Sequence, residues 1–219
     1  MNFHAFMISV EKAIELIYYY RMKEFLPYET VRNDALKLAA KIYHDGFIPD
    51  IIYTSLRGGA YMANVISEYF KLALKNRKPV LYAAVVARSY TDVHSHDAIR
   101  IDGWTYSPDY LRQGDKILLV DDIYDSGRTL NFLVQVLLEK GVPREDIKVV
   151  VHDYKNFTCK ETLPIKPDYW CRKFDITKPE EDRWIHYCSH ELVGLSKEEL
   201  EQNYYKQDEE LRSVLGEFL

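Results

Sequence analysis

The sequence has little of what marks an unstructured or disulfide-stapled chain. Only 9 of its 219 residues are glycine and 8 are proline, too few for a low-complexity linker or an extended repeat. Its three cysteines, Cys159, Cys171 and Cys188, are odd in number and lack C-x-x-C spacing, and a chain of this length does not depend on a disulfide framework. A reducing, cytoplasmic setting is therefore expected. Positive charge is also scarce: 29 Lys and Arg stand against 34 Asp and Glu, a net charge of −5. No general surplus is available to neutralise a nucleic-acid backbone, so any phosphate site must be local. No stretch approaches the roughly 18 apolar residues of a membrane span. The N-terminal MNFHAFMISVEKAIEL meets acids before any long apolar run, so neither secretion nor membrane insertion is indicated. What remains is 47% hydrophobic and 29% charged, the profile of a soluble domain with ample core material.

Along the chain, strand and helix patterns alternate. Val10 to Phe25 and Glu29 to Tyr43 carry apolar residues at helical spacing. Asp50 to Ser55 (DIIYTS) predicts a short strand, followed by Arg57-Gly58-Gly59 and a helix over Ala60 to Leu74. Val80 to Ala87 predicts a buried strand, and the polar Arg88 to Gln113 a long loop or hairpin of the kind that serves as a lid or binding segment. Lys116 to Val120 is another buried strand, followed by an acidic loop and a helix up to Lys140. Ile147 to Tyr154 resumes a strand; Phe157 to Asp182 is irregular; Trp184 to Tyr187 is a last apolar piece. Ser196-Lys197-Glu198-Glu199 is a capping-box pattern opening a charged C-terminal helix. The order predicts an α/β protein with a mostly parallel central sheet flanked by helices on both faces.

The sharpest feature is Ile117 to Leu130, ILLVDDIYDSGRTL. An apolar strand delivers three carboxylates and then a Ser/Gly/Thr loop at a helix start, where ligands of open α/β sheets bind. Backbone N–H groups from Ser126 to Thr129 can converge on one anion, aided by the positive end of the helix dipole. Asp121 and Asp122 are acceptors suited to a vicinal diol such as ribose hydroxyls, and Asp125 can face whatever is attached to the sugar. Capping and turning explain a lone Asp-Ser-Gly, but not two adjacent acids, a third three positions on, and Gly then Thr behind it.

Val120 to Thr129 resembles the ribose-phosphate signature of the type I phosphoribosyltransferases. The resemblance implies that Asp121 and Asp122 hold the ribose 2′ and 3′ hydroxyls of 5-phosphoribosyl 1-pyrophosphate, and that Asp125, Ser126, Gly127, Arg128 and Thr129 hold its 5′-phosphate. Thr54-Ser55-Leu56-Arg57-Gly58-Gly59 is similar to the family's pyrophosphate loop, in which glycines admit close backbone approach and an arginine offers a planar fork. That likeness assigns the diphosphate to Leu56, Arg57, Gly58 and Gly59. Arg88-Ser89-Tyr90 falls where the family carries a mobile loop that closes over the reacting centre and excludes water. Lys155 resembles the lysine that 6-oxopurine enzymes direct at the exocyclic O6, and Trp184-Ile185 the aromatic-aliphatic pair that stacks on the purine. Beyond that pair the likeness lapses: Cys188-Ser189-His190-Glu191 replaces the family's Pro-Trp-acid. His186, Cys188 and His190 form H-x-C-x-H, without the separated pairs of a structural zinc site, and no metal is assigned there; His94 and His96 receive no role.

The resemblance implies a type I phosphoribosyltransferase fold in a single domain, 1–219, made of an N-terminal helical extension (1–28), a core (29–155), a base-binding hood (156–195) and a C-terminal helix (196–219). It further implies transfer of the phosphoribosyl group to N9 of hypoxanthine, guanine or xanthine, yielding pyrophosphate and a purine nucleoside monophosphate. Arg57 would hold the leaving group and Asp125 would act as general base at the purine N7. Mg2+ would be the cofactor, held indirectly by Asp121 and Asp122 through ribose hydroxyls or water. The expected assembly is a homodimer or homotetramer, without nucleic acid or membrane. Two other readings are a ligand-sensing regulator of the same fold and a transferase for another base; the acidic balance and the Lys155 and Trp184 arrangement respectively speak against them.

Overall fold

Continuous β-branched and aromatic runs become the inner strands of one six-stranded sheet. The computed structural model describes residues 23–75, 77–92, 95–159, 163–187, 192 and 194–216. In chain order the elements are β1 (Lys23–Phe25), α1 (Tyr28–His44), β2 (Ile51–Leu56), α2 (Ala60–Ala73), β3 (Leu81–Asp92), β4 (Ser95–Trp104), β5 (Ile117–Tyr124) and α3 (Arg128–Glu139). They continue with β6 (Ile147–Phe157), β7 (Tyr169–Ile176), β8 (Trp184–His186), α4 (Lys197–Leu200) and α5 (Leu211–Leu215). The chain divides into two compact units: Tyr28–Glu181, and the segments on either side of it taken together.

In the larger unit the strand order is β4-β3-β2-β5-β6-β7, and all neighbours are parallel except β3 and β4. Parallel neighbours need crossover connections, and helices α2 after β2 and α3 between β5 and β6 supply them for the inner strands. Ile51, Tyr53, Ile117, Leu119, Val149 and Val151 share one face with Leu130, Leu133, Val134 and Leu137 of α3. Their alternates, Ile52, Leu118, Val120 and Val150, are buried on the other face. The buried positions of α3 recur at i, i+3, i+4 and i+7, one stripe of a 3.6-residue period, and each full burial stabilises by about 1.5–3 kcal/mol. From β2 the chain moves outward to β3; from β5 it moves the opposite way to β6. The order thus reverses between β2 and β5, and in open α/β sheets a crevice forms beyond the strand ends at such a reversal.

In the smaller unit β1 pairs in parallel with β8, with Lys23 opposite Trp184 and Phe25 opposite His186. The His186 ring stacks on Phe25 at 4.6 Å. The Lys23 ammonium donates to Glu199 and to the Gly194 carbonyl, each at 2.7 Å. No described helix is long and apolar enough to cross a membrane.

Several elements differ from the sequence expectation. The helix expected over Val10 to Phe25 lies outside the described residues up to 22, and its last three residues form β1 instead. Pro27 disfavours a helical residue before it, and the Leu26 N–H donates to the His186 carbonyl at 2.9 Å. The segment from Arg88 is the hairpin rather than the loop: β3 runs on to Asp92 and folds back as β4. Phe157 to Asp182 is not wholly irregular, because Tyr169–Ile176 adds edge strand β7, so residues 156–181 belong to the sheet unit. The C-terminal helix has its capping box, Glu199 N–H donating to Ser196 Oγ at 3.1 Å, but α4 passes into a π-turn over Glu201–Tyr205 and the helix resumes only at Leu211. Asp208 accepts the Glu210 N–H at 3.0 Å, a local side-chain bond that competes with helix continuation.

Candidate active site

The β2–β5 reversal is flanked by the two sequence motifs. β5 carries Asp121 and Asp122 within the strand, ends at Tyr124, and releases Asp125, Ser126 and Gly127 as a short loop before α3. Gly127 has φ +76°, the left-handed region that glycine enters without penalty, and it is the N-terminal cap of α3. Asp125, Ser126 and Arg128 are exposed, while Gly127 is buried and Thr129 half-buried. At this helix start the Arg128 N–H meets Ser126 Oγ at 3.4 Å, beside the exposed Asp125 carboxylate.

Across the reversal, Leu56 ends β2, the Leu56–Arg57 peptide is cis, and Arg57 is exposed. Gly58 lies against β5 so closely that a Cβ there would overlap the Asp122 carboxylate; a Cβ at Gly59 would come within 2.5 Å of the Val120 carbonyl oxygen. Both glycines are thus required by close approach. The Gly-Gly turn thus packs against β5 at Asp122, three residues before the Asp125–Thr129 loop.

The acids differ in environment. Asp122 is buried. Burial pushes the Asp121 carboxyl well above the ordinary carboxylate range, and the neighbouring Asp122 charge pushes it the same way. The Ser55 hydroxyl and the Asp122 N–H, the latter at 3.0 Å, donate to Asp121 and pull in the opposite direction. Asp121 is therefore prepared to gain from a hydroxyl donor or a cation. Among the described residues no group of three or more His, Cys, Asp or Glu could hold a metal ion.

Lys155 is on β6 rather than after it, because β6 runs on to Phe157. Register pairs Tyr124 with Tyr154, so Lys155 lies level with Asp125, and its Nζ is 3.6 Å from the Asp125 carboxylate. The lysine is buried although the aspartate is exposed. Arg88, Ser89 and Tyr90 lie in β3 and pair with Arg100, Ile99 and Ala98 of β4. Trp184 and Ile185 are in β8 of the smaller unit, the tryptophan exposed and the isoleucine buried. Of the H-x-C-x-H residues, His186 is buried in its stack with Phe25, and Cys188 and His190 fall outside the described residues.

Sequence reasoning did not single out the residues beneath the loop. The Tyr124 ring fills the space where a Gly127 side chain would be, and its hydroxyl donates to the Ile165 carbonyl at 2.7 Å. Asn131, one turn into α3, reaches both Gly127 and Ile165. Its only sequence signal was a polar residue in the apolar run TLNFLVQVLL, four positions after the glycine.

A doubly wound sheet whose strand order reverses between a Gly-Gly turn and an acidic strand end places the chain among the open α/β proteins. Residues 23–181 match the phosphoribosyl transferase domain model, and the chain belongs to that family. It is 28% identical to a hypoxanthine/guanine phosphoribosyltransferase of Methanosarcina barkeri over 54% of this chain. It is 27% identical to an adenine phosphoribosyltransferase of Shewanella amazonensis over 51% of this chain. The chain spans 60% of the length of each of these relatives. In fold it is similar to the crystal structure of a purine phosphoribosyltransferase from Pyrococcus horikoshii, with a TM-score of 0.59 and 19% identity, covering 80% of this chain and 99% of that one.

Proposed function

We propose that the protein transfers the 5-phosphoribosyl group from 5-phosphoribosyl 1-pyrophosphate to N9 of a 6-oxopurine. The observation that carries this reading is the contact of the Arg57-Gly58-Gly59 turn with the acids that precede the Asp125–Thr129 loop. Such contact suits a single ligand with a phosphate at each end and a diol between. The Ser126 to Thr129 N–H groups bind the 5′-phosphate, Asp121 and Asp122 accept from the ribose hydroxyls, and Arg57 with the Gly58 and Gly59 amides takes the diphosphate. Cleavage of the C1–O bond builds positive charge on the sugar and negative charge on the leaving group, so the site acts chiefly by charge placement. Asp125 accepts the N7 proton of the incoming purine as N9 attacks.

The same reading favours a 6-oxopurine, because an ammonium donates to a carbonyl and has no acceptor to offer a 6-amino group. Lys155, buried beside Asp125, is the donor assigned to O6. A divalent magnesium ion fits the hard oxygen donors Asp121 and Asp122 and the raised carboxyl of the former; when bound it would supply charge neutralisation of the diphosphate.

The test is pyrophosphate release from 5-phosphoribosyl 1-pyrophosphate and magnesium with hypoxanthine, guanine, xanthine, adenine, orotate or uracil. Release with one or more of the first three alone supports the proposal. Release with adenine or a pyrimidine reassigns the base, and release with none removes the transferase activity.

A further inference from the structure

The phosphate loop is held from below by one side chain. The Asn131 Nδ2 amide lies 3.0 Å from the Gly127 carbonyl oxygen, 2.8 Å from that of Ile165 and 3.1 Å from the Tyr124 hydroxyl. Its Oδ1 accepts the Ile165 N–H at 2.9 Å. A backbone N–H can only donate, so this last bond fixes the amide's orientation: Oδ1 takes the Ile165 N–H, and Nδ2 is shared between the Ile165 carbonyl and the loop. The Asn131 backbone N–H also donates to the Gly127 carbonyl, at 2.9 Å. That carbonyl therefore takes two donors from one residue.

The peptide group is planar and trans, so the carbonyl of Gly127 and the N–H of Arg128 point in opposite directions. Securing the carbonyl down into α3 aims the Arg128 N–H outward, toward the place where an anion at the helix start would sit. The competing acceptor in the loop, Ser126 Oγ, is 3.4 Å from that nitrogen, a weak bond that an anion can replace. Gly127 itself cannot shift toward Tyr124, because the ring occupies the space beneath it. The loop is thus pinned at one peptide, and Ile165 anchors the pin.

We infer that Asn131 is a positioning residue that orients the Gly127–Arg128 peptide for the sugar's terminal phosphate, acting through the backbone without touching the ligand. This rests on the phosphoribosyl reading above and gives it a residue outside the family motif. Loss of the pin should selectively weaken the phosphate end of the ligand and leave the diphosphate end, on Arg57-Gly58-Gly59, unaffected.

Two probes separate the ends: ribose 5-phosphate for the cup and inorganic pyrophosphate for the Gly-Gly turn, each titrated calorimetrically against the whole chain. Asn131→Ala is expected to bind ribose 5-phosphate about tenfold more weakly, the scale of a lost hydrogen bond to a charge-binding group. Its pyrophosphate affinity should stay within about twofold. Asn131→Ser should recover much of the loss, because a serine hydroxyl in a helix can donate to the i−4 carbonyl, here that of Gly127. Unchanged ribose 5-phosphate affinity in the alanine variant, or equal loss of both probes, overturns the inference. If alanine does not fold, Asn131→Leu, with the same number of side-chain heavy atoms and no hydrogen-bonding group, is read by the same criteria, and failure of both to fold makes the residue structural and rejects a positioning role. A wild-type chain that binds neither probe rejects the phosphoribosyl reading itself.

Discussion

Burial, and after it the Asp122 charge beside it in β5, hold the Asp121 carboxyl well above the ordinary carboxylate range. Its raised carboxyl means that the folded chain holds this proton more tightly than the unfolded chain does. Stability from this group is full below the ordinary carboxyl range near pH ~4 and is lost as pH rises through the elevated folded value. Asp121→Asn should remove that loss. The ligand-free variant is expected to melt above wild type at pH 7, with the gap closing toward pH 4 in fluorimetric melts; identical curves at every pH would show that the carboxyl is not strained. For Asp125, the proposed proton acceptor, Asp125→Asn should lower turnover by about 10²-fold with little change in 5-phosphoribosyl 1-pyrophosphate affinity. Steady-state kinetics with a separate binding titration check this, and undiminished turnover would remove the proton-transfer role. A melt of the same variant reads separately what Lys155 loses as its partner.

Among the elements, β6 and β7 carry a charge pair inside the sheet. Asp153, fully buried on β6, is opposite Arg172 of β7 and accepts from its Nε, and His152 Nδ1 lies 3.0 Å from the same carboxylate. Arg172→Leu leaves that buried carboxylate without its guanidinium and should cost roughly 1–3 kcal/mol in urea unfolding, less than a fully buried pair because the arginine side chain is partly exposed. A change below about 1 kcal/mol would mean that the histidine alone suffices. The same strand explains a gap in the sequence reading. β7 is an edge strand with exposed Trp170 and the charges Arg172, Lys173 and Asp175, a pattern that discourages edge pairing and also erases the apolar run that betrays inner strands. β3 and β4 are polar beyond Ala87 for a similar reason, pairing with each other at the sheet's other edge. The inner strands β2, β5 and β6 were legible as apolar runs because both their faces are buried, and the helices α1, α2 and α3 because burial on one face imposes a period. Asp121 to Thr129 was legible as a strand, a loop and a helix start, because the apolar run stops at Val120 and Gly127 adopts the positive φ that a glycine permits. Asn131, Tyr124 and Ile165 were not, since their bonds join residues 34 and 41 positions apart.

At the scale of the whole molecule the acidic balance, a net charge of −5, sets what the surface can attract. A regulator that pairs this fold with nucleic acid needs a basic face. Titration with duplex DNA at physiological salt should therefore give no complex up to about 100 µM, the weak end of nonspecific binding; micromolar binding would restore the sensor reading.

The strand-order reversal also has a mechanical side. β2 meets β5 over four residue pairs, against six between β2 and β3 and seven between β5 and β6. The seam through the middle of the sheet is thus its shortest ladder, and the two anion loops stand on opposite banks of it. A molecule gripped by both banks bridges the halves beyond the point where their hydrogen bonds stop, so occupancy should brace the protein along its weakest line as well as position reactants.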